Sequence, residues 1–448
     1  MLPADVPIMP TRREFSRTSL AAIGALAFGP RKWSTFQATP LVNGDRLNSH
    51  IKELSRFGAN PQGGVSRVAY SDFDRKGREY VLGVMRAGGL DPRVDIAGNI
   101  IARRPGSIAS LKPIMFGSHI DSVPEGGNYD GTVGSLGAVE VAQTLIEQRI
   151  ATRHPLEIVI FQNEEGGTVG SRALIGEVTD HDLGLTSKSG KTLREGIAFL
   201  GGNPGQLATG LRKRGDVTAY VELHIEQGGN LDRENLDIAV VEGIVGIGWW
   251  DVTIEGFANH AGTTPMDNRR DAMLAAARFT DMVNRVVTAE RGRQVGTVGR
   301  IAAQPGAPNV IPGKVVCSLE IRDLDDAKIQ RLYTTIRGEA DRIAAATGTR
   351  FSYASTHDSK SALMDPRIQK IIETSAGEAR LSSRYLPSGA GHDAQHMARI
   401  CPAGMIFIPS KDGISHAPQE FSTPGDITNG ANMLLRTVLA LDAASWTA

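Results

Sequence analysis

The sequence predicts an α/β fold in which helices flank a parallel-rich sheet and an α+β segment is inserted. Up to about residue 248, short apolar runs alternate with helical patterns, which is typical of strand–helix–strand units and therefore of a parallel sheet. Beyond that point the strands alternate apolar and polar residues, as strands with one exposed face do. The chain then returns to a helix and a buried strand, which indicates that the middle segment is an insertion.

The elements follow in order along the chain. Residues 46–90 carry apolar side chains at helical spacing and predict two helices. Strands are predicted for "NIIARR", "KPIMFGSH", "LEIVIFQNEE" and "TAYVELHIE", and a helix for "TVGSLGAVEVAQTLIEQR". In the insertion, strands ("GWWDVTIEGFAN", "KVVCSLEIRDLD", "TRFSYAST") alternate with two long helices, and the last part holds a helix, "DPRIQKIIETSAGEA", and a strand, "GMIFIPS". The expected divisions are a leader and linker over 1–40, the large domain over 41–248 and 359–448, and the insertion over 249–358.

The N-terminus has the layout of a signal peptide. A charged region with Arg12, Arg13 and Arg17 precedes a weakly apolar run over 21–28, and Ala25-Leu26-Ala27 is a candidate cleavage site. The stretch "RREF" resembles a twin-arginine signal. We therefore expect export to the periplasm, with a disordered basic tail on a cytoplasmic protein as the alternative.

Composition excludes several classes of protein. Lys+Arg and Asp+Glu balance at 49 each, which is not the charge of an electrostatic nucleic-acid binder. No run of about 18 apolar residues occurs, so no membrane-spanning helix is expected. Two cysteines, Cys317 and Cys401, are too few for a disulfide framework, and nothing in their pattern requires that they pair.

Side chains that bind metals follow four of the predicted strands. Ligands of open parallel sheets bind at the carboxyl ends of the strands, so we expect these side chains to converge. A single histidine is more often a surface or core residue than a ligand, but four such strand ends together favour a metal site. The residues are His119 and Asp121 after "IMFGS", Glu164 and Glu165 after "IVIFQN", His224 and Glu226 after "AYVEL", and His416 after "MIFIPSKDGIS".

Imidazole and carboxylate groups suit a pair of zinc-class divalent ions. Two neighbouring ions need a bridging carboxylate, and Asp130, in the glycine-rich loop after His119, can supply it. The predicted ligands are His119, Asp130 and His224 for the first ion and Asp130, Glu165 and His416 for the second.

Two further carboxylates have predicted roles at this centre. Adjacent side chains point in different directions, so Glu165 can bind metal while Glu164 acts as the general base. Asp121 lies two residues beyond His119, on the same face at strand spacing, and is expected to hold the imidazole tautomer through its carboxylate. His154 and His181 lie in polar stretches and are interpreted as surface residues.

Eight short sequence motifs occur in a characteristic order along the chain. Together they resemble the hydantoinase/carbamoylase branch of the M20 zinc amidohydrolases, which includes N-carbamoyl-L-amino acid hydrolases, beta-ureidopropionases and allantoate amidohydrolases. His224 carries the most specific signal, because the broader M20 peptidases usually have a carboxylate ligand in its place. The motifs, in order between about residues 45 and 445, are "GSHIDSVPEGGNYDG", "NEEGG", "ELHIEQGG", "GFANHAGTTPM", "PNVIPG", "EIRDLD", "SGAGHDAQ" and "GISHAPQE".

The resemblance implies a di-zinc aminopeptidase-like catalytic domain that holds two zinc or manganese ions on the ligands above. It also implies a lid, the inserted segment, that forms a homodimer. His260 would polarise the scissile carbonyl from the partner subunit, and Asn309 and Arg322 would hold the substrate carboxylate. Gln227 would contact the substrate, and Gly391 and His392 in "GAGHDA" would form part of the pocket wall.

Two details of the sequence qualify this resemblance. Taken alone, Arg322 suits a surface ion pair with Asp323 or Asp325. After "EEGG", many relatives have an Arg-Phe pair where this chain has Thr168-Val169, in a loop expected near the pocket. The metal ligands themselves match the motifs throughout.

The predicted function is metal-dependent hydrolysis of the ureido C–N bond of a small substrate that carries a carboxylate, such as an N-carbamoyl-L-amino acid or allantoate. One alternative is an M20-type aminoacylase or peptidase that acts on N-acyl amino acids or dipeptides. Another is an exported binding protein on a decayed enzyme fold, although neither a ligand nor the base is missing here.

Overall fold

The computed structural model describes residues 40–446 of the chain. The predicted signal segment falls almost entirely outside these residues. Twelve α-helices lie within the described range: α1 Gly44–Leu54, α2 Asp72–Ala87, α3 Thr132–Glu147, α4 Val169–Ile175, α5 Asp180–Gly184, α6 Leu193–Phe199, α7 Asn230–Glu234, α8 Ala272–Ala289, α9 Asp326–Thr347, α10 Pro366–Ala379, α11 Ala394–Met397 and α12 Pro424–Ala443.

The described chain also forms sixteen strands, which fall into two main sheets and a short ribbon. The strands are β1 Pro92–Val94, β2 Ile100–Arg104, β3 Ile114–His119, β4 Leu156–Phe161, β5 Ala219–Ile225, β6 Ile238–Ile244, β7 Gly246–Glu255, β8 Asn259–His260, β9 Val295–Thr297, β10 Ile301–Gln304, β11 Val310–Ile311, β12 Lys314–Asp323, β13 Arg350–Ser359, β14 Ala362–Leu363, β15 Ser383–Ser388 and β16 Ala403–Ile408.

The nine-stranded sheet has the order β1-β2-β4-β3-β5-β16-β6-β14, with β15 paired to β6. Its centre, β4-β3-β5-β16, is parallel throughout. Side chains of these strands are buried on both faces; on β3, for example, Phe116 packs in one apolar cluster and Met115 in the other. Continuous apolar runs follow from this two-sided burial, which is the pattern the sequence shows. The predicted α/β fold class with a parallel-rich sheet is confirmed.

The five-stranded sheet is antiparallel, with the order β10-β12-β7-β13 and β9 paired to β12. Helices α8 and α9 pack on one face, around Phe279 and Ile336. This second sheet runs from Gly246 to Ser359, whereas the predicted bounds of the insertion, 249 and 358, stay a prediction.

The two sheets are joined by two short connections that lie side by side. Val245 alone separates β6 from β7, and Lys360 and Ser361 separate β13 from β14. β14 pairs with β6, Ala362 opposite Ile244, so both crossings occur at the same place.

The structure also bears on the two cysteines and on membrane-spanning helices. Cys317, on β12, and Cys401, between α11 and β16, are buried, free thiols. Within residues 40–446, no helix combines the length and apolar character that a bilayer crossing requires.

Candidate metal centre

The carboxyl ends of the four central parallel strands meet at one edge of the large sheet. His119 is the last residue of β3, and His224 lies one residue before the end of β5. Glu164 and Glu165 follow β4, and His416 follows β16. The topology therefore brings together side chains that are up to about three hundred residues apart in the chain.

Two sets of three side chains place their ligand atoms within 4.8 Å of one another. We call His119, Asp130 and His224 the first ligand group, and Asp130, Glu165 and His416 the second. Oδ1 of Asp130 lies 3.3 Å from Nε2 of His119 and 3.3 Å from Nε2 of His224. Oδ2 of Asp130 lies 3.5 Å from Nε2 of His416. These are the residues assigned to two ions by the sequence; their role as ligands stays a prediction.

The tautomers of the two buried histidines suit a cation. Nδ1 of His119 lies 3.0 Å from the carbonyl oxygen of Asp121, and Nδ1 of His224 lies 2.9 Å from that of Ile225. A carbonyl oxygen only accepts hydrogen bonds, so each Nδ1 carries a proton, and in the neutral form of each ring the lone pair of Nε2 turns toward Asp130. A lone pair that faces a carboxylate is unfavourable unless a proton or a metal ion lies between them.

The electrostatics of His119 lead to the same conclusion. Burial lowers the pKa of its imidazole, but the carboxylates of Glu164, Asp130 and Asp121 raise it, and on balance the pKa lies well above 6.5. The site therefore attracts positive charge at Nε2. A metal ion competes for that position with a proton.

The second ligand group contains an unpaired carboxylate oxygen. Oε1 of Glu165 is buried and has no hydrogen-bond partner among the described residues, and Oε2 lies 3.5 Å from Nε2 of His416. Burial and then Asp130 raise the pKa of Glu165 to about 7, and the contact with Asp130 raises that of His416 to about 9. A buried oxygen without a donor is costly, so this set of nitrogen and carboxylate donors fits a divalent ion of the zinc class.

Glu164 lies against the first ligand group while its neighbour belongs to the second. Oε2 of Glu164 lies 3.7 Å from Nε2 of His119, and the residue is 9% exposed. Burial raises the pKa of Glu164 well above its ordinary value, and Asp393, Glu165 and Asp130 add to this against the opposing effect of His119. A carboxylate with a raised proton affinity beside the ligand cluster has the position expected of a general base.

Asp121 contacts its neighbours differently from the prediction. Its carboxylate lies 3.7 Å from Nδ1 of His119, and its carbonyl oxygen accepts the imidazole proton instead. Strand β3 ends at His119, so the two-residue periodicity that would align the side chains does not continue. The carboxylate accepts hydrogen bonds, each 3.2 Å long, from the backbone N–H groups of Glu164 and Glu165. Asp121 therefore fixes the backbone that carries the two glutamates.

The ligand cluster opens into a cavity of about 810 Å³ between the two main sheets. The large domain lines it with four residues of the two ligand groups, Asp130, Glu165, His224 and His416, and with Glu164. The second sheet contributes Ile247, Trp249, Arg322 and His357.

Arg322 reaches this cavity from β12. Its Nε and Nη2 donate to Glu320 at 2.7 and 3.3 Å, and Nη1 donates to the carbonyl oxygen of Gly389 at 2.6 Å. The ion pair with Asp323 or Asp325 considered from the sequence is wrong: Asp323 pairs with Lys328, and Asp325 with Arg331. Residues two apart on a strand share a face, which explains why Glu320 is the partner.

Three other predicted substrate residues line the cavity: Gln227, Gly391 and His392. Nε2 of Gln227 donates to Oδ2 of Asp130 at 2.7 Å, so its amide contacts the second ligand group directly. His392 is 1% exposed, and its Nε2 lies 2.8 Å from Oγ of Ser388. Burial, and then His224, lower the pKa of His392 well below 6.5, so it is a neutral side chain.

His260 and Asn309 lie together but away from the ligand cluster. Both are exposed, and the ribbon of β8 and β11 places His260 opposite Val310. The backbone N–H of Ala261 donates to the carbonyl oxygen of Asn309 at 3.0 Å. Within the described chain, neither side chain lines the cavity.

Sequence reasoning missed some polar residues around the cavity. Glu420 accepts the backbone N–H of Asp130 at 3.0 Å; it ends the motif "GISHAPQE", which was the available signal. His396 was also missed; its Nε2 lies 2.8 Å from Oγ1 of Thr168, whose loop was expected near the pocket and does line the cavity wall. The surface position expected of His154 is wrong, because it is 4% exposed and its Nδ1 donates to the carbonyl oxygen of Lys112 at 2.8 Å.

Comparison with known families adds a decisive observation. The model of the peptidase family M20/M25/M40 matches residues 115–440, a span that includes all five residues of the ligand cluster. The chain belongs to this family. Family members are metal-dependent hydrolases, which agrees with the donor set described above.

Relatives and solved structures refine the position within the family. The N-carbamoyl-L-amino acid amidohydrolase of Geobacillus stearothermophilus is 39% identical over 406 residues, which is 90% of this chain and 99% of that protein. The allantoate amidohydrolase of Bacillus subtilis is 33% identical over 395 residues, 87% of this chain and 95% of the relative. The crystal structure of a hydantoinase/carbamoylase family amidase from Burkholderia multivorans has a TM-score of 0.84 and 37% identity, and covers 90% of this chain and 99% of its own. The resemblance to the hydantoinase/carbamoylase branch is confirmed.

Proposed function

We propose that this M20 hydrolase cleaves the ureido C–N bond of a small substrate that carries a carboxylate, such as an N-carbamoyl-L-amino acid or allantoate. Water is consumed, and the products are an amine or amino acid, ammonia and carbon dioxide. The single observation that carries the proposal is the pair of ligand groups that share Asp130, with Glu164 beside them. The relatives of known name, which are amidohydrolases, support ureido chemistry over the aminoacylase alternative.

Two divalent ions, zinc or manganese, would occupy the two ligand groups. Bound there, they would supply Lewis-acid activation of the ureido carbonyl, which is a poor electrophile. Side chains of the cavity would carry out proton transfer and substrate binding. Glu164 takes a proton from the attacking water onto a carboxylate oxygen and later delivers it to the leaving nitrogen.

Arg322 is the candidate for the substrate carboxylate. Its guanidinium lies in the cavity wall and donates to the carbonyl oxygen of Gly389, a neutral acceptor that a carboxylate can displace. Glu320 accepts from Nε and Nη2, so the remaining N–H groups of Nη1 and Nη2 would meet the substrate carboxylate with two parallel hydrogen bonds. Gln227, Gly391 and His392 would contact the rest of the substrate from the large-domain side.

His260 and Asn309 would reach the cavity of a second copy of the chain. Their exposure on the β8–β11 ribbon and their distance from the cavity of their own chain support this assignment. A homodimer formed through the second sheet would then complete each site with a carbonyl-polarising imidazole from the partner. This arrangement makes the dimer the active unit.

The test is ammonia release by the metal-loaded protein with four substrates side by side. These are allantoate, an N-carbamoyl-L-amino acid, N-carbamoyl-beta-alanine and an N-acetyl amino acid, the last scored by its free amine. We expect turnover of at least one ureido compound that chelator abolishes and added metal restores. Turnover of the acetyl compound alone would replace this proposal with the aminoacylase alternative.

The leader supports a second, separate proposal: export by a twin-arginine-type signal. The supporting features are the paired arginines, Arg12 and Arg13, and the short apolar run that follows. Replacing both arginines with lysine should leave the protein in the cytoplasm of a host with a twin-arginine system. Equal periplasmic recovery of both forms would exclude the signal.

A further inference from the structure

A buried carboxylate joins the two loops that carry Asp130 and His416. Glu420 is 3% exposed and lies between β16 and α12. Its Oε1 accepts hydrogen bonds from the backbone N–H groups of Tyr129, at 2.9 Å, and Asp130, at 3.0 Å. Its Oε2 accepts from Oγ of Ser415 at 2.8 Å. One side chain therefore contacts the loop of the shared ligand and the residue next to His416.

The packing around this carboxylate leaves little freedom. A Cβ at Gly127 would overlap the carboxylate of Glu420, so the Asp130 loop needs glycine to approach it. Ser415 adds a second connection, because its Oγ lies 3.1 Å from Oδ2 of Asp130. The backbone and the side chain of Asp130 are thus both held from the segment that carries His416.

His416 is the ligand that most needs such support. His119 and His224 lie on strands of the large sheet, which fixes their backbone. His416 instead lies in a loop, has a positive φ of 54°, and exposes 49% of its side chain. A left-handed backbone at a residue other than glycine persists only where its surroundings hold it.

We infer that Glu420 is a positioning residue that sets the separation of Asp130 and His416, and with it the affinity of the second ligand group for its ion. The inference rests on the metal centre of the proposed function. Charge-assisted hydrogen bonds from two backbone amides are strong and directional. Groups that orient metal ligands in this way typically change metal affinity by about 10–100-fold when they are removed.

Two variants of Glu420 separate geometry from charge. Glu420→Gln keeps the shape, because its amide oxygen can accept both backbone N–H groups and its NH₂ can donate to Oγ of Ser415. Glu420→Ala removes all three hydrogen bonds. If Glu420 acts through geometry, Glu420→Gln should keep the affinity for the second ion that Glu420→Ala loses.

Asp442, on helix α12 that follows Glu420, offers a matched control. It is 7% exposed, and its carboxylate accepts the backbone N–H groups of Arg153 at 2.9 Å and His154 at 2.7 Å. It lies near the far end of α12, whose 20 residues span about 30 Å. Asp442→Ala therefore removes a comparable pair of hydrogen bonds away from the metal centre.

The experiment uses the full chain, stripped with a chelator and titrated with Mn²⁺ in a calorimeter, with metal content checked by mass spectrometry. We expect two ions in the wild type and a 10–100-fold weaker second ion in Glu420→Ala. The first ion should be less affected, because His119 and His224 remain on their strands. Glu420→Gln should stay within a few-fold of the wild type, and Asp442→Ala should bind both ions normally while its thermal midpoint falls.

Several outcomes would overturn the inference. Wild-type affinity for both ions in Glu420→Ala, or equal loss in Asp442→Ala, would do so and leave the proposed function standing. If Glu420→Ala does not fold, Ser415→Ala removes the contact between Glu420 and the His416 loop, together with the contact of Ser415 with Asp130; an unchanged affinity for the second ion there would have the same meaning. Wild-type protein that binds no Mn²⁺ and no Zn²⁺ would remove the proposed function together with this inference.

Discussion

The carbonyl oxygen of Asp121 accepts a hydrogen bond from Nδ1 of His119 at 3.0 Å. This single contact decides the tautomer of the imidazole and leaves the lone pair of Nε2 for a metal ion. A backbone acceptor cannot be removed by a side-chain substitution. We therefore expect the orientation of His119 to survive changes at Asp121 that displace Glu164 and Glu165.

The glycine before α3 is a sharp test of the first ligand group. Gly131 has a φ of 61°, and a Cβ there would overlap the imidazole of His119. Gly131→Ala should therefore displace His119 and weaken the first ion, which a calorimetric metal titration measures. Gly190→Ala is the control, because Gly190 has a φ of 86° with nothing within 4 Å; it should cost about 1 kcal/mol of stability and bind metal normally. Equal metal affinity in both variants would show that the first ligand group tolerates the displacement.

Glu164→Gln should separate metal binding from catalysis. The substitution keeps the shape of the side chain but removes its ability to take a proton. We expect a wild-type metal content and a fall in kcat of about 10²–10⁴. Glu165→Gln is the counterpart, and it should lose the second ion. Wild-type turnover in Glu164→Gln would assign the base to another group.

Arg322→Lys should affect substrate binding more than the chemical step. Lysine keeps the charge but cannot offer two parallel donors to a carboxylate. We expect KM to rise on the order of 10-fold or more, with kcat within a few-fold of the wild type. A substrate amide in place of the carboxylate should be turned over equally poorly by both forms. An unchanged KM for the carboxylate substrate would place its binding elsewhere.

Mixing two inactive variants tests the shared site. If His260 serves the partner's cavity, a hybrid of Glu164→Gln and His260→Ala has one complete site, with Glu164 from one chain and His260 from the other. Random reassortment should then restore about a quarter of wild-type activity. Each variant alone should stay inactive after the same treatment. No recovery from a mixture shown to contain hybrids would mean that His260 acts in its own chain.

His396, in the cavity wall, should make the free energy of unfolding depend on pH. Burial lowers the pKa of His396 below 6.5, against the opposing effect of Glu177. Because the folded pKa is the lower one, the unfolded chain gains the proton first as pH falls. The contribution of neutral His396 to the free energy of unfolding is therefore complete above about pH 6.5. It is lost as the pH falls toward the pKa of His396 in the folded protein.

His396→Gln should remove that dependence. Between pH 7.5 and 5.5, the unfolding free energy of the wild type should fall relative to the variant by up to about 1.4 kcal/mol per pH unit. Urea unfolding at several pH values measures the difference. Parallel curves for the two proteins would show that His396 titrates normally.

Strand-end reasoning anticipated which side chains converge because of how parallel sheets are built. Strands β3, β4, β5 and β16 are buried on both faces, so their apolar runs stand out and their ends mark one edge. The sequence did not reveal β6, because only Val245 separates it from β7 and the two strands appear as one run. It also missed β15, which pairs only with β6 and contains Pro387, a residue that edge strands tolerate.

Contacts that depend on three-dimensional detail were beyond the sequence. Nothing in the spacing of His119 and Asp121 shows that strand β3 ends at His119. Because the strand ends there, the carbonyl oxygen of Asp121, and not its carboxylate, accepts the imidazole proton. The partner of Arg322 follows from strand periodicity and was accessible. The motif "GISHAPQE" contained Glu420, but its hydrogen-bond partners were not accessible, because the backbone N–H groups of Tyr129 and Asp130 are almost three hundred residues away in the chain.

The paired connections between the sheets have a mechanical consequence. The backbone passes from one sheet to the other only at these two connections, so a bend of the second sheet against the first would pivot near Val245. Arg322 pairs with Ile247, two residues from that axis, and so has a short lever arm. The far end of β7, ten residues along, lies roughly 30 Å away and leads to the ribbon of His260. A bend at the connections would therefore displace the ribbon more than the guanidinium of Arg322.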